Sequence, residues 1–365
     1  MSTLETNAIG KYSTNNVSFD DALNLKSYST SARDALTSVA GDTIYNSDDN
    51  KVQVYTGSAW EDLGGIAAFQ IQYVVVAGGG AAGAVWGAGT MASGGGGAGG
   101  YVSSVIGENT GGGLSSHQVM YIAPSTNYPV SIGAGGTATT SGNDQTGGYT
   151  GTASYFNNIV AMAGGAGFSY VNYSTLPGRN AKGGSGGGQG TYRNVSGQSA
   201  DGGEGLTGQG FAGGNAQGSF SSGNPNAAGG GGGASAAGSN ATGNTAGTGG
   251  AGVTTNITGS SLTLAGGGGG AGSTSANGGA GGGGNGATNA TGTAGTINTG
   301  GGGGGIATTD ATARYGGNGG SGVIYLLYPD TYTISNTGMT LTETDRGDGY
   351  KYAEITAGTG TVSWS

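Results

Sequence analysis

The stretch of sequence that decides the fold opens at Gly78-Gly79-Gly80 and closes at Gly316-Gly317-Asn318-Gly319-Gly320-Ser321-Gly322. Of the 91 glycines in this 365-residue chain, five precede residue 78 and five follow residue 322, so 81 lie among these 245 residues. About one residue in three is therefore glycine, against a usual share of roughly 7%. Glycine loses the most backbone freedom on folding and buries no side chain, so something other than side-chain packing must order such a segment.

Three ordered structures are known for glycine-rich chains. Collagen needs glycine at every third position and much proline, whereas Gly223-Asn224-Pro225-Asn226-Ala227-Ala228-Gly229 breaks that period and the chain has five prolines. Silk-like stacking needs a regular alternation of Gly with Ala or Ser, which the sequence lacks. The sequence favours a bundle of extended three-fold helices of the polyproline-II type, because backbones without Cβ atoms approach closely enough to hydrogen-bond. A disordered elastic segment is the alternative.

Short apolar runs lead directly into glycine at several places, which supports the ordered structure. The clearest are Val75-Val76-Ala77, Ala161-Met162-Ala163 and Thr263-Leu264-Ala265, and Pro129-Val130-Ser131-Ile132 is a looser example. A flexible linker has no reason to repeat a strand before each glycine run. We therefore expect a base built of strands that carries the glycine bundle.

The predicted fold is mostly β and irregular, in four parts. These are an attachment or oligomerisation segment at 1–40, a three-stranded meander at 41–66, a glycine-rich domain at 67–328 and a small antiparallel β unit at 329–365. In the first part, Ser31 is predicted to cap a short helix at 31–36. The meander has strands at 42–46, 51–56 and 59–63, with Trp60 as its core residue.

The C-terminal part is predicted to contain four short strands. They lie at 331–334, 339–342, 350–355 and 360–364. Between them, Arg346-Gly347-Asp348 has the sequence of an integrin-binding motif, but in a hairpin of this kind it is interpreted as a turn.

Two parts of the chain resemble bacteriophage proteins. Residues 29–36 followed by 41–46, 50–55 and 57–60 are similar to a module of phage tail fibres and other virion proteins. The glycine-rich part, with Val-Val-Val-Ala-Gly-Gly-Gly at its start and Gly-Gly-Ser-Gly-Val-Ile-Tyr-Leu-Leu-Tyr-Pro at its end, resembles the adhesin domains of phage fibres. Together the matches cover residues 29–329. The resemblance implies a virion fibre that attaches to a host cell surface.

Aromatic and basic residues concentrate in the middle of the glycine-rich part, in the composition that binding surfaces favour. The candidates for receptor contact are Phe168, Tyr170, Tyr173, Arg179, Tyr192, Arg193, Phe211 and Phe220. The alternative is that these side chains separate glycine helices or seal the bundle.

The composition argues against several classes of function. A net charge of −9 and a pI of about 4.3 disfavour nucleic acid as a partner. Cysteine is absent, so neither disulfides nor thiolate metal sites can form. The longest apolar run, Val323 to Tyr328, is too short to span a bilayer, and the first residues contain no secretory signal.

Catalytic motifs are also missing. The GxGxxG spacing at 78–83 is followed by neither a helix pattern nor an acidic residue at the distance that a dinucleotide site needs. His117 has no second histidine as a metal co-ligand, and Asp201 and Glu204 lie in a glycine loop with nothing to position them. We therefore expect a non-enzymatic protein without catalytic, cofactor or metal sites.

The expected function is that of a phage virion structural protein, a tail fibre or adhesin. Its partners would be other virion proteins through the N-terminal region, a host surface glycan or protein, and further copies of itself in a homotrimer. The alternatives are a capsid or head decoration protein without a receptor role and, from another class, an ice-binding or elastic structural protein.

Overall fold

The computed structural model describes residues 25–63, 68–85, 91–139, 147–168, 181–191, 201–217, 227–310 and 312–365. The chain divides into two compact units, Met1–Ala67 and Ala68–Ser365, which are considered separately. Within the described residues the secondary structure is almost entirely β or irregular, with one five-residue α-helix and one three-residue 3-10 turn. The prediction of a mostly β fold is confirmed.

The first unit is a four-stranded sheet with one short helix. Its elements are β1 (Ser27–Tyr28), α1 (Thr30–Asp34), β2 (Thr43–Asn46), β3 (Lys51–Tyr55) and β4 (Trp60–Asp62). Strands β2, β3 and β4 form the predicted antiparallel meander, in which Tyr45 lies opposite Val52 and Val54 opposite Glu61. Strand β1 pairs with β2 in parallel and was not predicted.

Two details of this unit differ from the predictions. The helix is capped by Ser29 rather than Ser31, because the Ser29 hydroxyl accepts the N–H of Ala32 at 3.3 Å. Trp60 is not buried but lies half-exposed against Tyr55, with 5.4 Å between the ring centroids. A three-residue edge strand has too little covering chain to bury an indole.

Polar side chains take the place of an apolar core here. Asn46 and Gln53 are buried, and the Asn46 amide donates to the Gln53 side-chain oxygen at 3.1 Å. Gln53 donates in turn to Asp62 at 2.9 Å and accepts from the Arg33 guanidinium at 2.8 Å. This network ties α1 to the sheet, although α1 itself buries no residue.

The second unit contains the remaining elements. They are β5 (Phe69–Val76), β6 (Met91–Ala92), β7 (Tyr101–Ser103), a 3-10 turn (Gly111–Gly113), β8 (Met120–Ile122), β9 (Tyr128–Ser131), β10 (Ser154–Phe156), β11 (Ile159–Ala161), β12 (Val253–Thr255), β13 (Leu262–Leu264), β14 (Ala287–Thr288), β15 (Ile306–Thr308), β16 (Val323–Pro329), β17 (Ile334–Asp345) and β18 (Tyr350–Trp364).

A nine-stranded sheet forms the base of this unit. Its main path is β11-β10-β9-β18-β16-β5-β7, with β17 paired to β18 and β8 paired to β5. The two strands that border the glycine-rich stretch are neighbours, because Val76 at the end of β5 lies opposite Val323 at the start of β16. Two smaller sheets, β12-β13 and β14-β15-β6, complete the described strands.

The C-terminal residues form two long strands instead of the four short strands predicted. Strand β18 pairs with β17 along one edge, and along its other edge with β16 and then with β9. The pairing of β17 with β18 shifts register near Gly338, and Gly358 of β18 has a φ of +100°. These glycines interrupt the alternating sequence pattern but do not end the strands. Because β18 pairs with β16 and β9, the C-terminal residues belong to the main sheet.

Strands β5 and β16 are buried on both faces of the sheet. Ile71, Tyr73 and Val75 lie in one apolar cluster, while Val74 and Val76 lie in a second cluster with Leu264 and other residues of the glycine-rich part. Trp364 is fully buried in the first cluster. Four rings surround it at centroid distances of 5.7 to 6.5 Å, those of Tyr328, Phe69, Tyr128 and Phe156.

We expect Trp364→Ala to lower the free energy of unfolding of the second unit by about 3–5 kcal/mol, because it empties the centre of the first cluster. Denaturant titration followed by circular dichroism measures the change. Tyr350→Ala is the control, since Tyr350 is 42% exposed. Equal stability of the two variants would contradict the assignment of Trp364 as the central core residue.

Candidate functional site

The glycine-rich segments pack on the base as a dense array, called here the glycine lattice. It comprises residues 77–85, 93–100, 133–139, 147–153, 162–168, 181–191, 201–205, 210–217, 227–234, 238–241, 246–252, 265–271, 276–280, 283–286, 292–296, 300–305 and 316–322. Backbone hydrogen bonds between segments that are distant in sequence connect the array.

Segment 93–100 shows the bonding pattern most completely. Its N–H groups donate in rotation to three other segments: Gly94, Gly97 and Gly100 to Phe168, Gly165 and Met162; Gly95 and Ala98 to Gly229 and Gly232; Gly96 and Gly99 to Gly303 and Gly300. The direction of donation thus repeats every three residues. A β-strand repeats every two, so this segment is bonded differently from a strand.

The carbonyl groups of segment 93–100 accept from three further segments. Gly97 and Gly100 accept from Gly80 and Ala77, Gly95 and Ala98 from Gly188 and Ser185, and Ser93 and Gly96 from Ala271 and Gly268. The segment is therefore hydrogen-bonded to six others.

The same three-residue period recurs in segment 77–85. Its amides donate in rotation to residues of three segments: Ala77 and Gly80 to Gly100 and Gly97, Gly78 and Ala81 to Thr152 and Tyr149, Gly79 and Ala82 to Gly320 and Gly317. The period is a property of the array and not of one segment.

Glycine is required in the interior of the lattice because backbones occupy the space that a side chain would need. A Cβ on Gly96 would lie 2.0 Å from the carbonyl oxygen of Gly80, and one on Gly267 would lie 2.2 Å from that of Gly231. At the margin, by contrast, buried Gly292 and Gly295 alternate with exposed side chains such as Thr293 and Thr296. Residue type therefore follows position in the lattice.

Side-chain amides continue the hydrogen bonding at the margins of the lattice. Backbone N–H groups donate to side-chain oxygens of Asn and Gln as follows: Ala138 to Asn318, Gly202 to Asn215, Asn215 to Asn240, Gly278 to Asn285, Gly243 to Gln217 and Met162 to Gln209. Gln209 also donates to the carbonyl of Val160 at 2.9 Å, so its amide bonds to the backbone of β11 and of the residue that follows it. These side chains supply acceptors of the same chemistry as a peptide group.

The lattice has two ends of different character. Segments leave and re-enter the base at one end, as 77–85 does after β5 and 93–100 does before β7. At the other end, called here the far end, residues of different segments are joined by isolated β-bridges. Val85 bridges to Arg314, Ala227 bridges to Gln217 and Gly272, and Thr245 bridges to Thr274. Strands β6, β14 and β15 lie at the far end as well.

The described part of the far end exposes mainly hydroxyl and amide groups. Its exposed polar residues include Asn244, Thr274, Asn289, Thr291, Thr309 and Thr312. One charged pair lies there: Arg314 contacts Asp310 at 3.0 Å. Hydrogen bonds from the Thr312 backbone and the Thr308 hydroxyl, together with Arg314, hold the pKa of Asp310 at about 2. The sequence contained no pattern that singled out these residues, because their spacing is irregular.

Two of the eight predicted contact residues lie in the described structure. Phe168 ends a lattice segment at the far end, where its ring lies beside Gly147. Phe211 lies between Gly186 and Gly233, with its ring beside Gly113 of the 3-10 turn. Both are half-buried, and no described contact brings them together. Tyr170, Tyr173, Arg179, Tyr192, Arg193 and Phe220 lie outside the described residues.

Described flanks of three undescribed connections lie at the far end. Phe168 and Ala181 enclose residues 169–180, Thr191 and Asp201 enclose 192–200, and Gln217 and Ala227 enclose 218–226. Thr191 is bonded to Ala92 of β6, and Gln217 pairs with Ala227, which fixes these flanks at that end. Six of the eight predicted residues lie in the undescribed connections between these flanks, and Phe211 does not.

The remaining described side chains that could act in catalysis or metal binding show no arrangement for either. Glu204 pairs with Lys182 at 2.6 Å, which lowers the pKa of its carboxyl, whereas a general acid needs a raised pKa. His117 is exposed, and the described residues contain no group of three side chains suited to hold a metal. Arg346 donates to the Ile257 carbonyl at 3.1 Å and pairs with Asp348 at 2.8 Å, so its guanidinium fastens the hairpin turn to the β12-β13 connection.

Comparison with known proteins assigns the chain to a family. The sequence model of the glycine-rich domain family matches residues 58–329, more than half of the chain, and the chain belongs to that family. No curated protein sequence matches it. Among the described residues, none of the helical segments has the length and apolar character that crossing a membrane requires.

We expect Gly267→Val to destabilise the second unit by about 1–3 kcal/mol or more, because its side chain would overlap the carbonyl of Gly231. Thermal unfolding and resistance to a nonspecific protease measure the effect. Ala294→Val introduces the same side chain at an exposed lattice position and serves as the control. A Gly267→Val protein as stable and as resistant as the control would refute close backbone packing at this site.

Proposed function

We propose that the segments of the glycine lattice are three-fold helices of the polyproline-II type, packed side by side as in polyglycine II. Such a helix has three residues per turn and a rise of about 3.1 Å per residue, so successive peptide groups point in three directions. The three-residue rotation of donors in segments 77–85 and 93–100, and the six bonded neighbours of the latter, support this proposal.

The energetics of such a bundle explain why it would need the base. Each hydrogen bond between helices contributes a net of roughly 0.5–1.5 kcal/mol, while ordering a residue costs roughly 1–2 kcal/mol. These terms nearly cancel, so apolar burial must supply the remainder. The second apolar cluster, where Val76 and Val323 meet Leu264, lies where sheet and lattice join.

Hydrogen exchange tests the helix proposal. We expect slow exchange for the amides of Gly95, Gly96 and Gly97 alike, because each donates to a different neighbouring segment. Gly349, in the exposed hairpin turn, is the fast-exchanging reference. Fast exchange at one of the three positions would contradict a helix enclosed on all sides.

We further propose that the protein is a structural component of a phage virion, a tail fibre or adhesin that attaches to the host cell. The main support is that Phe168 and Thr191 lie at the far end, opposite the base, and flank the undescribed connections that contain the Tyr and Arg candidates. The resemblance of residues 29–60 and of both borders of the glycine-rich part to fibre proteins points the same way.

The mechanism follows from a stiff scaffold that presents loops at one end. A lattice bonded through its backbone leaves the far-end connections free to vary in sequence without loss of the fold. Tyrosine supplies rigid contact area, and arginine supplies hydrogen bonds to a surface glycan or protein. Each site can be weak, because several copies on one particle bind with increased avidity.

The remaining parts of the protein have corresponding roles in this proposal. The N-terminal region binds other virion proteins, the chain forms a homo-oligomer, for which a trimer is our expectation, and the protein performs no catalysis. A capsid or head decoration protein without a receptor role is the competing function. No observation favours an ice-binding or an elastic protein.

Binding of purified protein to intact host cells separates the two virion functions. We expect the wild type to bind and the combined variant Tyr170→Ala, Tyr173→Ala, Arg179→Ala and Tyr192→Ala to lose at least tenfold in affinity with unchanged thermal stability. Ile106→Ala and Leu114→Ala, at exposed positions 71% and 50% accessible near the base, together form the control variant and should bind normally.

Two results would count against this assignment. If the wild type does not bind cells that adsorb the virion, the decoration role is favoured. If the far-end variant binds as well as the wild type, these four side chains are not receptor contacts.

A further inference from the structure

One face of the sheet in the first unit carries an apolar surface that nothing in the described residues covers. Residues alternate between the two faces of β2, β3 and β4, and their register places Tyr45, Val52 and Leu63 in one row across the strands. Thr43, Val54 and Glu61 form a second row on the same side. We call this surface the open face. Its strand residues are half-exposed or exposed, and Leu63 is 54% exposed.

The opposite face of the sheet is occupied and charged. Arg33 of α1 lies over Gln53 there, and Lys51 pairs with Asp62. Because side chains alternate along each strand, these charges cannot reach the open face. Glu61, at the end of its row, is the one charged strand residue on the open face among those described.

The described residues of the first unit bury few side chains. Among residues 25–63, Ile44 is the one hydrophobic side chain that is buried, and the other buried side chains are Asn46 and Gln53. Small sheets of this size need a further apolar layer to be stable. The open face offers the surface on which that layer can form.

We propose that the open face is the surface through which copies of this chain associate, with the open face of a second copy as its occupant. This rests on the homo-oligomer of the proposed function and names the interface. The charge distribution supports it: each chain carries a net charge of −9, which opposes association elsewhere, whereas this face brings almost no like charges together. A surface that meets copies of itself around one symmetry axis, as in the expected trimer, needs this property, because each charge on it would lie close to the same charge of another copy.

Sedimentation of the purified full chain tests the proposal without host cells, so its result is independent of receptor binding. We expect the wild type to be oligomeric and Leu63→Glu to raise the dissociation constant at least tenfold, because a carboxylate would be buried without a partner. Val39→Glu is the matched control: Val39 is 66% exposed in the same unit and lies outside the strands. It should retain the wild-type mass.

Cross-linking provides a second readout that does not depend on destabilisation. The chain has no cysteine, so Leu63→Cys introduces a single thiol. We expect mild oxidation or a short bismaleimide to link two Leu63→Cys chains efficiently and two Val39→Cys chains poorly.

The following results would overturn the proposal. A wild type that is monomeric at all concentrations, or a Leu63→Glu protein with the wild-type mass, excludes this interface. If the Val39→Glu control dissociates as much as the Leu63→Glu protein, the effect comes from the added charge alone. A Leu63→Cys thiol that resists labelling in a monomer would mean that another part of the same chain covers the face.

Discussion

The close approach of backbone to backbone is the constraint on which the second unit depends. Beside the α-carbons of the interior glycines, the space holds the carbonyl of another segment, as the 2.0 Å between a Cβ on Gly96 and the oxygen of Gly80 illustrates. Such packing buries few side chains but forms a high density of hydrogen bonds between peptide groups. The net gain of each bond is small, so the lattice is stable only as a cooperative whole.

The sheet supplies the apolar burial that glycine cannot. Strands β5 and β16 are covered on both faces, by the cluster around Trp364 on one side and by residues that include Leu264 on the other. They are also the strands from which the glycine-rich stretch leaves and to which it returns. The base therefore holds both ends of the stretch together, which reduces the entropy cost of ordering what lies between.

Sequence patterns predicted the elements that rely on local alternation. The meander, the strands before the glycine runs and the β character of the whole chain followed from apolar periodicity. Trp60 and the Ser31 cap were wrong, because burial and capping depend on what chain lies nearby rather than on residue type. The continuous β17-β18 hairpin was missed, since Gly338 and Gly358 look like strand ends and instead sit at irregular points within the pairing.

For the candidate site, too, the sequence predicted some features and only the tertiary structure showed the others. Composition alone identified the Tyr and Arg residues between 168 and 220 as candidates for receptor contact. Only the tertiary structure placed the described residues Phe168, Thr191 and Gln217 at one end of the lattice and Phe211 beside the 3-10 turn. The reason is physical: glycine content determines that backbones can pack against one another, but without side chains no residue specifies its partner. The hydrogen-bonded neighbours of each segment are therefore visible only in the tertiary structure.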